Sequence, residues 1–365
     1  MSAFASRILI ALAACCAVSV AVADSGRGHD ADTVYTLSNA ASGNRVLAFK
    51  VARNGSLAPS GSHDTGGRGL GRGLGSQGAI AGDGDHIFAV NSGSDDLSVF
   101  RVTRAGLQLT DVIASGGVRP ISVTVHRGVV YVVNAGSDNI AGFKLRRNGT
   151  LDALPGSEKS LSGTGTDPAQ IQFSADGDTL IVTEKAVNNL VLFPVDRRGI
   201  ASDGVVIPSL GQTPFGFALG KGRQIIVSEA GGGAANASSV SSYWLGRNGD
   251  LRVLDATDAT LATATCWTVV TPDGRFAYVT NTGSDTVTGF RLIGGRLRLL
   301  NADGVTATSG DTPIDLVVTQ RGDTLQVLNG GSRSISTFKV LHNGQLQPVS
   351  ELSGLPETVS GLLAL

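Results

Sequence analysis

Apolar residues come along this chain in short β-branched and aromatic runs, separated by clusters of Gly, Asn, Asp and Ser, and no long stretch keeps the 3.6-residue period of an amphipathic helix. Between Arg119 and Pro155 the pattern predicts four strands in succession. Strand A covers Ile121 to Val125 and strand B Val129 to Asn134, with a turn at His126-Arg127-Gly128 between them. Strand C covers Asn139 to Leu145 after Ala135-Gly136-Ser137-Asp138, and strand D Thr150 to Leu154 after Arg146-Arg147-Asn148-Gly149. Asn-Gly between two such runs marks a tight hairpin, because both central residues accept positive φ.

The unit returns seven times. The residue that ends its second strand is Asn39, Asn91, Asn134, Glu184, Glu229, Asn281 and Asn329, spaced by 52, 43, 50, 45, 52 and 48. A period of that length with four strands per unit predicts an all-β fold, a seven-bladed β-propeller of four-stranded antiparallel blades. The first unit begins directly at a B-type strand, Val34 to Asn39, and the C-terminus carries one strand too many, Thr358 to Leu365. This last strand is expected to enter the first blade as its innermost strand and close the ring, in preference to an open solenoid.

The 365 residues would ordinarily suggest two or three domains, but a propeller uses residues 33–365 as one. Ahead of it, Arg7 is followed by an apolar run ending in Ala21-Val22-Ala23, the pattern of a secretion signal at residues 1–23, with 24–32 as a flexible leader. The expected location is secreted or periplasmic. Leu12-Ala13-Ala14-Cys15 also fits a bacterial lipoprotein signal, in which case the protein would be membrane-anchored at Cys15. Cleavage after Ala23 removes Arg7, Cys15 and Cys16, takes the formal charge from −1 to −2 and leaves Cys266 alone, so closure of the ring has no disulfide to rely on. Near-neutral charge without basic clusters argues against nucleic acid as a partner, and a monomer is expected.

Candidate chemistry follows from strand register. Starts of A strands and ends of B strands meet on one face around the central channel. They carry Gln77, Arg119, Gln170, Phe215, Trp267 and Asp315 on the A side, and Glu184, Lys185 and Glu229 on the B side. Such a ring predicts a concave polar pocket for an anionic or polyhydroxylated small molecule. The Asn series, Asn39, Asn91, Asn134, Asn281 and Asn329, is better explained by turn chemistry. Glu184 and Glu229 replace Asn with an ionisable group, as proton carriers or as members of channel-lining ion pairs. No cofactor or metal is expected; the alternative is a Ca²⁺ or Mg²⁺ ion held through oxygen ligands by Glu184, Glu229, Asp315 and Asn carbonyls. Cys266 reads as a buried apolar residue.

The hairpin Thr271-Pro272-Asp273-Gly274-Arg275-Phe276-Ala277-Tyr278-Val279 and the segments Gly66 to Gly78, Thr183-Glu184-Lys185, Thr213 to Phe217 and Ser228 to Gly232 resemble the lactonase-like seven-bladed propellers. That family includes 6-phosphogluconolactonase and carboxymuconate cyclase, and the segments are most similar to its secreted branch. The resemblance implies action on a lactone or unsaturated carboxylate, as hydrolase or as cyclase/lyase. Glu229 or Glu184 would move the proton, Arg119 would be catalytic as an oxyanion or carboxylate partner, and Lys185, Gln170, Asp315, Gln77, Phe215 and Trp267 would bind substrate. The family's enzymes carry a Pro-His pair at starts of A strands, whereas the five His here lie elsewhere. A non-catalytic propeller that binds a small ligand, glycan or protein is the alternative.

Overall fold

Seven antiparallel sheets follow one another along the chain in the computed structural model, which describes residues 32–247 and 249–365; the expected secretion signal and nearly all of the expected leader lie outside the described residues. Strand A is innermost in each blade. From blade 1 to blade 7 the A strands are Ser360–Ala364, Ile80–Gly82, Pro120–His126, Pro168–Phe173, Pro214–Leu219, Thr265–Val270 and Pro313–Val318. The B strands are Thr33–Leu37, His86–Asn91, Val129–Asn134, Thr179–Glu184, Gln224–Glu229, Phe276–Asn281 and Thr324–Asn329. Every A strand touches the A strands of both neighbouring blades, which is a closed ring and not a solenoid.

Closure uses the C-terminal strand as expected: Ser360–Ala364 pairs antiparallel with Thr33–Leu37. A bulge at Gly361, with φ 79°, shifts the register there, and a Cβ at this position would stand 3.1 Å from Ala79 and Ile80 of the next blade. The B strands read as continuous apolar runs because both of their faces are covered by adjacent blades; Phe276–Asn281 and Thr324–Asn329 are buried at every residue. Tight turns follow their sequence signals, such as Arg127-Gly128 at φ 48° and 73° between strands A and B of blade 3.

Three boundaries differ from the sequence pattern. In blade 3 the outer strand runs only over Leu151–Ala153, stops at Pro155-Gly156 and resumes as Lys159–Ser160. The first B strand ends at Leu37, and Asn39 lies beyond it with φ 48°. Ser76-Gln77 precedes blade 2's A strand, which is just Ile80–Gly82, because Gly75 and Gly78 at φ 60° and 81° take the chain out of extended geometry.

One seam makes the fold pH-sensitive. Asp258, on strand D of blade 5 (Leu251–Ala259), has a buried Oδ2 without a partner, and burial followed by the charge of Asp255 pushes its pKa up to about 6. A raised carboxyl pKa favours the protonated form in the folded state. Wild-type stability should therefore fall as pH rises from the ordinary Asp range, about 4, to about 6. Asp258→Asn removes this contribution: it should melt above wild type at pH 7 and level with it below pH 4. An equal offset at both pH values would contradict the assignment.

Candidate functional site

The mouth of the channel is built from strained strand entries. The residues just before five A strands, Arg119, Asp167, Thr213, Ala264 and Thr312, all have left-handed backbones with φ between 48° and 58°. Such conformations cost about 1–3 kcal/mol each and persist only where neighbours hold them. Here the holders are turn side chains of the preceding blade. Asp95 Oδ1 accepts the Arg119 N–H at 2.7 Å, Asn188 Oδ1 that of Thr213 at 2.6 Å, and Asp285 Oδ1 that of Thr312 at 2.8 Å. At these three entries the turn between strands B and C, Gly-Ser-Asp in two of them and Ala-Val-Asn in the third, thus acts as a hook between blades. Just inside each of these five entries a β-bulge follows, as where Pro120 pairs with Asn134 but Ser122 with Val133, and it turns the strand towards the axis.

The Gly-rich connection from blade 1 to blade 2 crosses this mouth. Ser76 accepts the Trp267 indole N–H on its carbonyl at 2.9 Å and donates its hydroxyl to the Ile121 carbonyl at 2.8 Å. The Gln77 carboxamide pairs with both backbone groups of Thr268, at 2.8 and 3.0 Å, while its own N–H reaches Ala169 O at 3.0 Å. A Cβ at residue 216 would overlap Gln77 Oε1, so glycine is required where the carboxamide passes blade 5. Two residues therefore tie blades 3, 4 and 6 across the axis, with the Phe215 and Trp267 rings 4.8 Å apart beside them. The Ser76-Gln77 segment thus fills, at this level, the concave polar pocket expected from register.

Lys185, Arg119, Gln77, Gln170, Phe215 and Trp267 do gather around the mouth. Gln170 accepts the Phe217 N–H at 2.7 Å and donates to its carbonyl at 3.1 Å, bridging blades 4 and 5. Arg119 is half-buried and donates to Ala135 O at 3.1 Å. Lys185 follows directly on strand B of blade 4. Its Nζ donates to Gly75 O at 2.7 Å and Pro168 O at 3.2 Å, lies 3.5 Å from Asp167 Oδ2 and stands 4.9 Å over the Phe215 ring. Burial pushes the Lys185 ammonium below the usual lysine pKa, and Asp167 opposes that shift.

The three remaining acids face elsewhere. Glu184 has no exposed surface; it accepts from the Ser162 N–H at 2.9 Å and from the Ser162 hydroxyl, with Asn189 Nδ2 at 3.5 Å. Glu229, also fully buried, accepts from Gly211 N–H at 3.1 Å, Ser239 Oγ at 2.5 Å and Ser241 Oγ at 2.6 Å. Burial raises its pKa against those hydrogen bonds. Asn281 and Asn329 reach the same positions, five and seven residues on, in strand C of their own blades. All of these side chains turn away from the channel and fasten the loop into the blade. Asp315 sits at the seam of blades 7 and 1, receives the Leu316 N–H at 2.8 Å and leaves Oδ2 without a partner. Burial drives its pKa well above the carboxylate range. Glu184, Glu229 and Asp315 do not join into one ligand set for Ca²⁺ or Mg²⁺, and among the described residues no group of three His, Cys, Asp or Glu is placed to hold a metal. Cys266 is a buried free thiol pushed up to about 12 by burial.

Beside Lys185 an open depression of about 440 Å³ lies between blades 4 and 5, lined by Asp167, Lys185, Ala186, Asn188, Gln212 and Thr213. Asp167 stands one residue before Pro168, the register position that Arg119 holds before Pro120, yet it is not among the candidates taken from the sequence. The signal was present all the same, since a charged residue replaces Thr213 and Thr312 at the same left-handed position.

A family model described as lactonase, 7-bladed beta-propeller, matches residues 79–266 and 236–360. The chain belongs to that lactonase family. No curated protein sequence matches it. Among solved structures, a candidate 6-phosphogluconolactonase from Bacteroides fragilis shares 18% identity at a TM-score of 0.70, covering 92% of this chain and 98% of its own. A Lactobacillus plantarum protein shares 16% identity at 0.77, with coverages of 92% and 99%. The periplasmic gluconolactonase of Pseudomonas aeruginosa shares 17% identity at 0.67, with coverages of 91% and 99%. At these identities the likeness is one of fold.

Proposed function

We propose that this protein is an exported lactonase that hydrolyses a lactone of an anionic or hydroxylated acid in the depression beside Lys185. The observation that carries this reading is an ammonium with a side chain only 11% exposed, paired with a solvent-facing carboxylate, at the wall of a ligand-sized cavity on the channel face. Membership of a lactonase family and the fold shared with a periplasmic gluconolactonase support it.

The chemistry divides between two groups. Lys185 Nζ polarises the lactone carbonyl and holds the charge that develops on its oxygen. Asp167 takes a proton from water as the water oxygen bonds to the carbonyl carbon. The ring C–O bond then breaks and the departing alkoxide recovers that proton from Asp167, leaving a hydroxy acid. Arg119 adds positive charge near Lys185 and attracts an anionic substrate. Glu184 and Glu229 support the loops behind the site in this scheme. The filled channel axis favours a second reading, in which the same depression binds its ligand without turnover.

Turnover of a panel of aldono- and aromatic lactones decides between them. Lys185→Met and Asp167→Asn should each lower kcat by about 100-fold, and Arg119→Met should mainly raise KM, with melting temperatures showing that the variants fold. Turnover that survives in both Lys185→Met and Asp167→Asn, or that is absent from the wild type, removes the lactonase reading.

A further inference from the structure

The face opposite the channel mouth holds a cleft of about 280 Å³ between blades 3 and 4, walled by Phe173, Val129 and Val195 and by the His126 ring. Its charges are unevenly satisfied. Arg198 is paired with Asp196 at 2.9 Å, and Arg223 engages Asp176 and Asp178. Arg127, Lys144 and Arg197 line the same cleft with no carboxylate partner among the described residues. Lys144 Nζ leans over the Arg127-Gly128 turn, so two of these cations share one rim. His126 Nε2 is buried without a hydrogen-bond partner beside Gly177, where a Cβ would collide with the ring. Burial and then the Arg127 charge hold His126 below its usual pKa.

A cavity with apolar and aromatic walls, three unpaired cations and an unpartnered buried nitrogen has the composition of a small-ligand site. We propose that it binds a small organic anion, a carboxylate or phosphate ester on a compact apolar body, independently of the site at the channel mouth. The apolar body packs on Phe173 and the His126 ring, Arg127 and Arg197 take the anionic oxygens, and Lys144 adds charge at the rim. The site lies on blades 3 and 4 alone, so occupation needs no movement of the ring.

Inorganic phosphate and benzoate serve as probes against the full processed chain, with ¹⁵N-labelled histidine followed by NMR. Either anion should shift the His126 ring signals saturably, and the anion that does so assigns phosphate or carboxylate as the recognised group. The double variant Arg127→Asn, Arg197→Ser should weaken that binding by about tenfold or more for each arginine replaced. Asn accepts the left-handed backbone of Arg127, at φ 48°, and both side chains are exposed, so the variant keeps the fold. Asp167→Asn, at the other face, should leave the His126 shifts unchanged. A His126 signal that does not move, moves without saturating, or saturates equally in the double variant overturns the proposal, as does loss of the shift in Asp167→Asn.

Discussion

A chain ending at Glu357 is expected to yield no folded monomer. The missing residues include strand Ser360–Ala364, the innermost strand of blade 1, and with it the backbone bonds Thr33 N–H to Leu365 O at 2.7 Å and Leu365 N–H to Thr33 O at 3.0 Å. Side chains lock the same seam: Thr36 Oγ1 donates to Gly361 O at 2.6 Å and Thr358 Oγ1 to Ser38 O at 2.7 Å. Val359 and Leu362 pack in one apolar cluster with Val34, Phe49, Leu328 and Ile335, which draws on blades 1 and 7. Burying each such side chain contributes about 1.5–3 kcal/mol, and the truncation also bares Val34 and Leu37 and breaks the ring between its first and last blades. The total rivals the roughly 5–15 kcal/mol by which a typical domain is stable. Circular dichroism and size exclusion of the truncated chain check this; cooperative melting near the wild-type temperature would show that the ring does not depend on this strand.

The repeat made the fold legible because a propeller blade cannot bury itself, so each copy must carry the same strands and turns. The extra strand at one end and the missing one at the other disclosed how the ring closes. Side-chain direction was less legible. Register correctly places Glu184 and Glu229 at the ends of B strands, but it does not say that the last side chain of strand B leans into strand C. There it meets Asn189 in one blade and Ser239 and Ser241 in the other. Lys185, one residue further on, falls on the opposite side and reaches the mouth. The path of the Gly66 to Gly78 segment was hidden for another reason. Its glycines leave the backbone direction open, and only the positions of Trp267, Thr268 and Ala169, distant in sequence, fix Ser76 and Gln77 across the axis.

Glu229 separates a girder from a catalyst. Its carboxylate takes the Gly211 N–H and the Ser239 and Ser241 hydroxyls in a pocket with no exposed surface. Glu229→Ala leaves these donors without acceptors and opens a void, and each buried unsatisfied group costs about 1–3 kcal/mol, so the variant should lose about 3 kcal/mol or more. Glu229→Gln keeps the shape. Its Oε1 can still accept from Gly211 and Ser241, and the rotatable Ser239 hydroxyl can accept from Nε2. The sign of the pH effect follows from the raised pKa of Glu229, caused first by burial. The folded state prefers the protonated acid, so wild-type stability declines as pH rises through the window between the ordinary Glu value and the raised one, while Glu229→Gln has no such decline. The melting temperature of Glu229→Gln relative to wild type should therefore climb with pH, and its lactone turnover should equal that of wild type. A Glu229→Gln variant that melts normally but has lost turnover would return the proton-transfer role to Glu229 and require the loop Ser209 to Gln212 to open during catalysis.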